Sequence, residues 1–285
     1  MPTLNQLNAV LEDVSSLKMV AQAYTEISAI KLQKIRSGIE RNRIFFQEIT
    51  SVFRMVKVAA DQRGREQAVP AARKKKAVSI LLTSNQRFYG DLEYHLTQFF
   101  TEHTSTFNTD RIVIGSTAKD FFRAMAQPPP HQLYLFSSDI PPLEELRKLV
   151  DTLTDYEQIF VYYCRMQSVL VQTPSVVDLL QKPPEHYLMS KEHSFHSIFE
   201  PDIDEMLQFF NTQITMLLLE QIFLESELAR TAARLTAMNQ AELNADDMIK
   251  KQRRLLASAK RSLDSARLLD TIAGMSNWRK EHYGY

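Results

Sequence analysis

Two short turns in the middle of the chain carry residue types that could bind a phosphate group. Residues 115–119 (GSTAK) follow an apolar run, but they lack the first glycine and the Gly-Lys-Ser/Thr order of a nucleotide-binding loop. Residues 84–90 (SNQRFYG) contain one glycine, where a dinucleotide-binding turn needs three to let the backbone approach pyrophosphate. Each segment therefore predicts a turn between a strand and a helix rather than a cofactor site. The helix that follows Gly115 is expected to be capped by Ser116 or Thr117.

Other residues capable of chemistry are isolated. His193 and His196, with Glu192 and His186 nearby, could place two imidazoles on one helical face, but a metal site needs further ligands. Solvated loop histidines are therefore expected. Cys164, the single cysteine, lies inside an apolar run, which predicts a buried, inert thiol and excludes a disulfide framework. The sequence thus predicts no catalytic and no metal site.

The overall composition excludes several classes of protein. The 285 residues are 44% hydrophobic and 24% charged, and no stretch approaches the roughly 18 apolar residues that a membrane-spanning helix needs. The 34 Lys and Arg balance 34 Asp and Glu, so the global positive field of a nucleic-acid binder is absent. The first residues, MPTLNQLNAVLEDV, show neither a signal nor a transit peptide, and we expect a reducing cytoplasm.

Long helices are predicted at both ends, because glycine and proline cluster in the middle. All eleven prolines lie at Pro2 or between Pro70 and Pro201. A heptad stripe runs from Leu207 to Ala273, which predicts a left-handed coiled coil roughly 100 Å long. A similar stripe, with one register slip, covers the N-terminal arm.

The middle of the chain alternates short apolar runs with helical segments. Such alternation predicts a Rossmann-like, mostly parallel sheet covered on its faces. The predicted strands are 77–83, 111–115, 133–136, 159–164 and, at an edge, 168–173, and the predicted helices are 91–100, 118–126 and 143–154. The resulting fold class is an α/β middle domain inserted between two long helices that form an antiparallel coiled coil. The expected domains are a helix over 1–69, the α/β domain over 70–201, a helix over 202–275 and a tail over 276–285.

Two basic clusters interrupt this neutral chain. Residues 73–76 (RKKK) are expected to be a solvated linker. Six cations between Lys250 and Arg261 spread over most of a helix circumference, so we expect that a two-helix coil cannot hold all of them on one outward face. An acidic partner around the helix is the alternative to a purely solvated surface.

Several motifs resemble the gamma subunit of rotary ATP synthases. The most specific is AARLTAM at residues 232–238, followed by Asn244-Ala245, which is similar to the family pattern AARMTAM…NA. Further similarities lie at residues 29–32, 112–116, 121–122, 199–202 and 272–274. Departures at the glycine-poor turn 83–92 and at residues 259–267 indicate a divergent or alternate-type member.

The resemblance implies a mechanical role without bond chemistry of its own. The chain would be the rotating shaft that couples ATP synthesis or hydrolysis in an alpha/beta hexamer to ion transport, such as hydrogen ion transport, through a membrane rotor. Implied partners are the alpha and beta subunits, an epsilon-type stalk subunit and the membrane c-ring, with the complex peripheral on the cytoplasmic face of the cell membrane. The resemblance and the charge pattern assign to the partner interface Lys31, Arg234, Met238, Lys250, Lys251, Arg253, Arg254, Lys260, Arg261 and Arg267.

Two other classes of protein fit parts of the pattern. A coiled-coil adaptor with an α/β binding domain would share the heptads but not the motif at residues 232–238. An enzyme with a helical dimerisation hairpin would need a phosphate loop or a titratable cluster.

The helix pairing can be predicted in register. If both arms leave the middle domain side by side, Val14 should face Ala245, Leu4 should face Leu255, and Tyr24 should face Arg234 and Leu235. Beyond Leu256 the C-terminal helix would then continue without an N-terminal partner, with Leu263, Leu268, Leu269 and Ile272 exposed.

Overall fold

The computed structural model of the chain describes residues 3–62, 75–106, 108–179 and 203–283. The helices are α1 (Leu4–Gln62), α2 (Leu92–Ser105), α3 (Ser116–Ala124), α4 (Leu143–Leu153) and α5 (Ile203–Tyr283). The strands are β1 (Lys75–Leu82), β2 (Asp110–Ile114), β3 (Gln132–Tyr134), β4 (Tyr156–Met166) and β5 (Gln172–Asp178). The histidines predicted to lie in a loop, residues 73–74 of the basic linker and the motif at 199–202 fall outside the described residues.

Two compact units divide the chain. The first, here the helical unit, comprises Met1–Ile27 and Ala237–Tyr285, and the second, here the sheet unit, comprises Ser28–Thr236. Both long helices therefore contribute to both units. Within this unit α5 packs against the sheet through Phe223, Ala229 and Ala233, and α1 packs against α5, as Val56 does against Phe210.

The five strands of the sheet unit are ordered β3-β2-β1-β4-β5. The pairs β1–β2, β1–β4 and β2–β3 are parallel, whereas β4–β5 is antiparallel, which confirms the predicted mostly parallel sheet. The predicted edge strand at 168–173 lies too early. Ser168 Oγ accepts hydrogen bonds from the amides of Leu170 and Val171, so residues 168–171 close a turn and β5 begins only at Gln172.

Alternate residues of the strands build two apolar cores. Val78, Ile80 and Ile112 pack with α4 and with the part of α5 around Phe223. Their neighbours, with opposite side-chain direction, pack with α2, α3 and Ala229 and Ala233 of α5. The predicted inert thiol of Cys164 lies in the second core, 1% exposed, and burial raises its pKa to about 12.

In the helical unit α1 and α5 pair antiparallel. Val14 packs against Ala245 and Ile249, which confirms the predicted pairing of Val14. Polar contacts on either side follow the same direction, since Lys18 Nζ lies 2.8 Å from Asp246 Oδ1 and Gln252 donates to the carbonyl of Leu7 at 3.1 Å. The two helices therefore bury a narrow apolar seam between polar flanks.

Helix α5 does not end where the sequence suggested. It continues through Gly274 to Tyr283, past the end expected at residue 275. A single glycine costs only about 1 kcal/mol relative to alanine, and residues 276–283 contain no proline. Ser276–Tyr283 are therefore helical rather than an irregular tail.

Candidate functional site: a cationic collar and a buried ionic network

The predicted interface residues fall into two sets, an exposed one and one in the sheet unit. The exposed set lies on α5 in the helical unit and comprises Lys250, Lys251, Arg253, Arg254, Lys260, Arg261 and Arg267; we call it the cationic collar. Lys250 lies 3.5 Å from Asp247, with both side chains 70% exposed. No other collar residue forms a salt bridge within the described residues. Such exposed pairs contribute about 0–1 kcal/mol, so the collar remains available as a positive surface.

The collar is exposed throughout because other residues contact α1. Ala245, Ile249 and Gln252 occupy the α1-facing positions of α5, and α1 begins only at Leu4. All six cations between Lys250 and Arg261 are exposed, and an acidic partner around them stays a prediction. Met238 is half-buried in the same unit.

The other set contains Lys31, which is half-buried, and Arg234, which is buried, both in the sheet unit. Lys31 of α1 forms an ion pair with Glu227 of α5, whose side chain is fully buried. The second oxygen of Glu227 accepts hydrogen bonds from Arg230 Nη2 and Nε at 2.8 and 3.1 Å. Arg230 also donates to Ser226 Oγ at 3.0 Å. We call Lys31, Glu227 and Arg230 the ionic triad.

Electrostatics hold Glu227 and Arg230 in their charged forms. Burial alone would raise the pKa of Glu227, but Arg230 and Lys31 outweigh burial and hold this pKa below its ordinary value. Burial likewise would lower the pKa of Arg230, yet Glu227, Glu93 and Asp139 raise it above its ordinary value. Burial raises the pKa of Glu93, and the charge of Arg230 opposes that shift. Arg230 is therefore a buried cation surrounded by three acidic side chains.

Arg234, one turn after Arg230, holds the turn that follows β1. Its Nη2 donates to Gln86 Oε1 at 2.9 Å and to the carbonyl of Arg87 at 3.0 Å. The guanidinium carbon lies 4.4 Å from the centre of the Tyr89 ring, a cation–π distance. Glu93 holds the other side of the turn, since its Oε1 accepts from the amide of Ser84 at 2.8 Å. Arg234 is 4% exposed, so its contacts fix the protein's own turn.

The segment that could have bound phosphate is tied to protein atoms. The first backbone amides of α3 donate hydrogen bonds to protein atoms. Ser116 donates to Asn85 Oδ1, Thr117 to the carbonyl of Ser84, and Ala118 to Thr83 Oγ1. Gly115, not Ser116 or Thr117, is the N-cap, which corrects the sequence expectation. Its φ of 103° and the 2.6 Å between an added Cβ and the Thr83 carbonyl oxygen explain why glycine stands there.

A crevice of about 300 Å³ lies at the carboxyl ends of β1 and β3. Its lining residues are Lys31, Asn85, Gln86, Ser137, Ser138, Asp139, Ile140 and Glu227. Many of their polar groups are already used, because Lys31 pairs with Glu227 and the amide of Asn85 donates to Asp139 at 2.8 Å. No group of three or more His, Cys, Asp or Glu suited to a metal ion occurs within the described ranges. The crevice is therefore bounded on one side by Lys31 and Glu227 of the triad.

Sequence reasoning selected Lys31 and Arg234 but missed the residues between them. Glu227, Arg230 and Glu93 each look like ordinary surface charges in the sequence. The available signal was the spacing of Glu227 and Arg230 by three on a helix otherwise rich in alanine and leucine.

Along the chain, two long helices that pair antiparallel in the helical unit flank a mostly parallel five-stranded sheet. The family model described as ATP synthase matches residues 3–276. The chain therefore belongs to the ATP synthase family, as a gamma chain, the non-catalytic stalk subunit of that complex.

Relatives and solved structures agree with this assignment. The ATP synthase gamma chain of Pelotomaculum thermopropionicum is 27% identical over 260 residues, covering 87% of this chain and 89% of the relative. The gamma chain of Desulfosudis oleivorans is 22% identical over 293 residues, covering 96% and 98%. The Tetrahymena thermophila mitochondrial ATP synthase central stalk and c-ring structure contains a chain with a TM-score of 0.56 and 15% identity, covering 78% of this chain and 99% of that chain. A chain of the Euglena gracilis mitochondrial ATP synthase gives 0.54 and 14%, covering 89% and 96%. At such identities the structures show a shared fold.

Proposed function

We propose that the chain is the rotating central shaft of an ATP synthase, coupling ATP synthesis or hydrolysis in an alpha/beta hexamer to ion transport through a membrane rotor. The observation that carries the proposal is the family match over residues 3–276, together with the antiparallel pairing of α1 and α5 in the helical unit. A coiled-coil adaptor would share the pairing but not the family match.

The cationic collar is proposed as the surface that meets the hexamer. The resemblance to the gamma family supports this proposal, because it implies acidic segments of the beta subunits near Lys250, Lys251, Arg253 and Arg254. Exposed charges act mainly through long-range attraction, which is screened over roughly 10 Å at 0.1 M salt. A collar of seven cations can therefore steer and orient the shaft without any single strong contact.

The ionic triad is proposed to make α1 and α5 turn together. In the sheet unit Lys31 belongs to α1, whereas Glu227 and Arg230 belong to α5. Sliding one helix along the other at this level would separate Lys31 from Glu227 and disturb the partner of a fully buried arginine. Lys31 is 30% exposed, so its pair with Glu227 contributes only about 0–1 kcal/mol. The pair therefore acts by fixing the register of the two helices rather than by its strength. Lys31 and Arg234 then act as positioning residues behind the surface, and Met238 remains a proposed contact.

The remaining partners follow from the family. We propose an epsilon-type stalk subunit and the membrane c-ring as partners, with the complex on the cytoplasmic face of the cell membrane. Among the described helices none combines the length and apolar character required to cross a bilayer. Attachment to the membrane would then be through partner subunits.

Purification of the tagged full-length chain from its own cells tests the proposal. Alpha and beta subunits in stoichiometric amounts, with ATPase activity that the chain alone lacks, are the expected result. The matched control is a tagged Val14→Asp variant, in which the α1–α5 seam is disrupted. It should recover less of both subunits. Recovery of the wild-type chain without alpha and beta subunits would overturn the proposal.

A further inference from the structure

The turn that follows β1, residues 84–90, is joined to helix α5 by directional contacts. The packing of α5 into the two cores of the sheet is apolar, and apolar packing is non-directional. Arg234 instead donates hydrogen bonds to Gln86 Oε1 and to the carbonyl of Arg87. Hydrogen bonds depend on direction as well as on distance. Arg234 therefore resists rotation of α5 against the turn, provided that the turn itself is held in place.

The backbone of this turn is strained. Phe88 has a φ of 74°, a conformation that is unusual for a bulky side chain. Gly90, two residues later, has a φ of 63°, which glycine adopts without strain. A residue such as Phe88 keeps its conformation only where the surrounding contacts impose it. The turn therefore needs anchors on the sheet in addition to its contacts with Arg234.

Asn85 anchors the turn to two neighbouring strands. Its Oδ1 accepts a hydrogen bond from the amide of Ser116 at 3.1 Å, and its Nδ2 donates to the carbonyl of Phe136 at 3.1 Å. Its own amide donates to Asp139 Oδ1 at 2.8 Å. Ser116 begins α3 just after β2, whereas Phe136 and Asp139 follow β3. Asn85 thus connects the carboxyl ends of β1, β2 and β3, using both the donor and the acceptor of its side-chain amide.

We propose that Asn85 is a positioning residue of the shaft, which makes the sheet follow the rotation of α5. The inference rests on the proposed function of the chain. Arg234 holds the turn to α5, and Asn85 holds the same turn to the ends of β2 and β3. Without the side chain of Asn85 the turn would follow α5 while the rest of the sheet lagged behind. ATP hydrolysis would then continue while fewer ions are moved for each ATP.

The exposure of Asn85 separates this role from a contribution to stability. Asn85 is exposed, so water competes for its hydrogen bonds and their net contribution to folding is small. Replacing Asn85 should therefore change the melting temperature of the free chain only slightly. The effect should appear in the transfer of rotation instead.

The test uses inverted membrane vesicles that contain the whole complex. The rate of ATP hydrolysis is compared with the ATP-driven membrane potential, followed with a voltage-sensitive dye that responds to proton or sodium transport alike. Asn85→Ala removes both side-chain hydrogen bonds, whereas Asn85→Asp keeps the acceptor and loses the donor to Phe136. Loss of one such bond changes an equilibrium by about two- to ten-fold. We expect the ratio of transport to hydrolysis to fall at least about two-fold in Asn85→Asp and further in Asn85→Ala.

Two control variants separate positioning from stability and from charge. Leu149 is 0% exposed in the core that α4 shares with the sheet, so Leu149→Ala should lower the melting temperature more than either change of Asn85. Its ratio of transport to hydrolysis should equal that of the wild type, because the hydrogen bonds of the turn are intact. Asn108→Asp makes the same amide-to-acid change at an exposed residue of the sheet unit and should leave the ratio unchanged.

The outcomes distinguish this inference from the proposed function. A wild-type ratio in both Asn85 variants overturns the inference and leaves the shaft function standing. An equal fall of the ratio in Leu149→Ala also overturns it, because the effect would then follow stability. If Asn85→Ala does not assemble, Asn85→Asp carries the test, and failure of both to assemble would show that Asn85 serves the fold alone. Wild-type vesicles that hydrolyse ATP through this complex without forming a membrane potential would overturn the proposed function itself.

Discussion

Replacing Glu227 with glutamine should expose how much the sheet unit depends on the ionic triad. The change keeps the size of the side chain but removes the charge that faces Arg230, whose side chain is 1% exposed. Arg230 would keep the charges of Glu93 and Asp139 but would lose its two hydrogen bonds to a carboxylate. A buried charge left without its partner costs about 3–5 kcal/mol. Lys31 adds little to this loss, because its side chain is 30% exposed and screened by solvent.

The assay is urea denaturation of the isolated chain, followed by helical circular dichroism. Glu227→Gln should lower the apparent free energy of unfolding by about 3–5 kcal/mol. The double variant Glu227→Gln, Arg230→Met should recover part of that loss, since an uncharged buried pair needs no charged partner. A single variant that loses less than about 1 kcal/mol, or a double variant that is less stable than the single one, would refute the account of Arg230 as a buried charge dependent on Glu227.

The same network gives a pH dependence with a defined sign. The pKa of Glu227 is lower in the folded chain than its ordinary value, so its stabilising contribution is present above that ordinary value and is lost as the pH falls through the folded pKa. The pKa of Glu93 is raised, so Glu93 acts in the opposite direction. Removing Glu227 should therefore flatten the loss of stability in acid, measured as the urea midpoint against pH.

The remaining predictions address the other parts of the molecule. Titration calorimetry of the isolated chain with ATP and magnesium should show no binding, and Lys119→Ala should change nothing; micromolar binding that this change abolishes would favour a nucleotide enzyme. Replacing Lys250, Lys251, Arg253 and Arg254 together with glutamate should weaken assembly or coupling, whereas each single replacement should have almost no effect. If the assembled complex keeps its ATPase rate and its salt sensitivity, the collar is only a solvated surface. Gly115→Ala should lower the melting temperature, because the φ of 103° disfavours a side chain and an added Cβ would lie 2.6 Å from the Thr83 carbonyl oxygen. Backbone strain of this kind costs about 1–3 kcal/mol. A melting temperature equal to that of the wild type would contradict this. Amide hydrogens beyond Leu256 should exchange fast in the free chain and slowly after assembly, as mass spectrometry would show; slow exchange to the C-terminus of a free monomer would count against an end that needs a partner.

The sheet could be predicted from sequence because its strands are short apolar runs separated by turns. Residues 77–83 and 111–115 lie within one or two positions of β1 and β2. The pairing of Val14 with Ala245 followed from the assumption that both arms leave the middle domain side by side. The misplaced edge strand has a local cause, since the hydroxyl of Ser168 competes for backbone amides. The helix boundary at residue 275 failed because the cost of one glycine is small compared with the helix around it.

The triad could not be predicted, because a heptad repeat describes only one contact seam. From Ile222 to Arg234 nearly every residue of α5 is buried or half-buried, since this segment contributes to both cores of the sheet, Phe223 to one and Ala229 and Ala233 to the other. A helix enclosed on several sides can bury an arginine that a two-helix model would place in solvent. Such burial requires acidic side chains beside the arginine to pair with its charge. The segment 232–238 that carries the family resemblance thus adjoins the place where α5 is most enclosed, and Arg234 within it holds the turn after β1. The sequence motif therefore marks the level at which the helix and the sheet are joined.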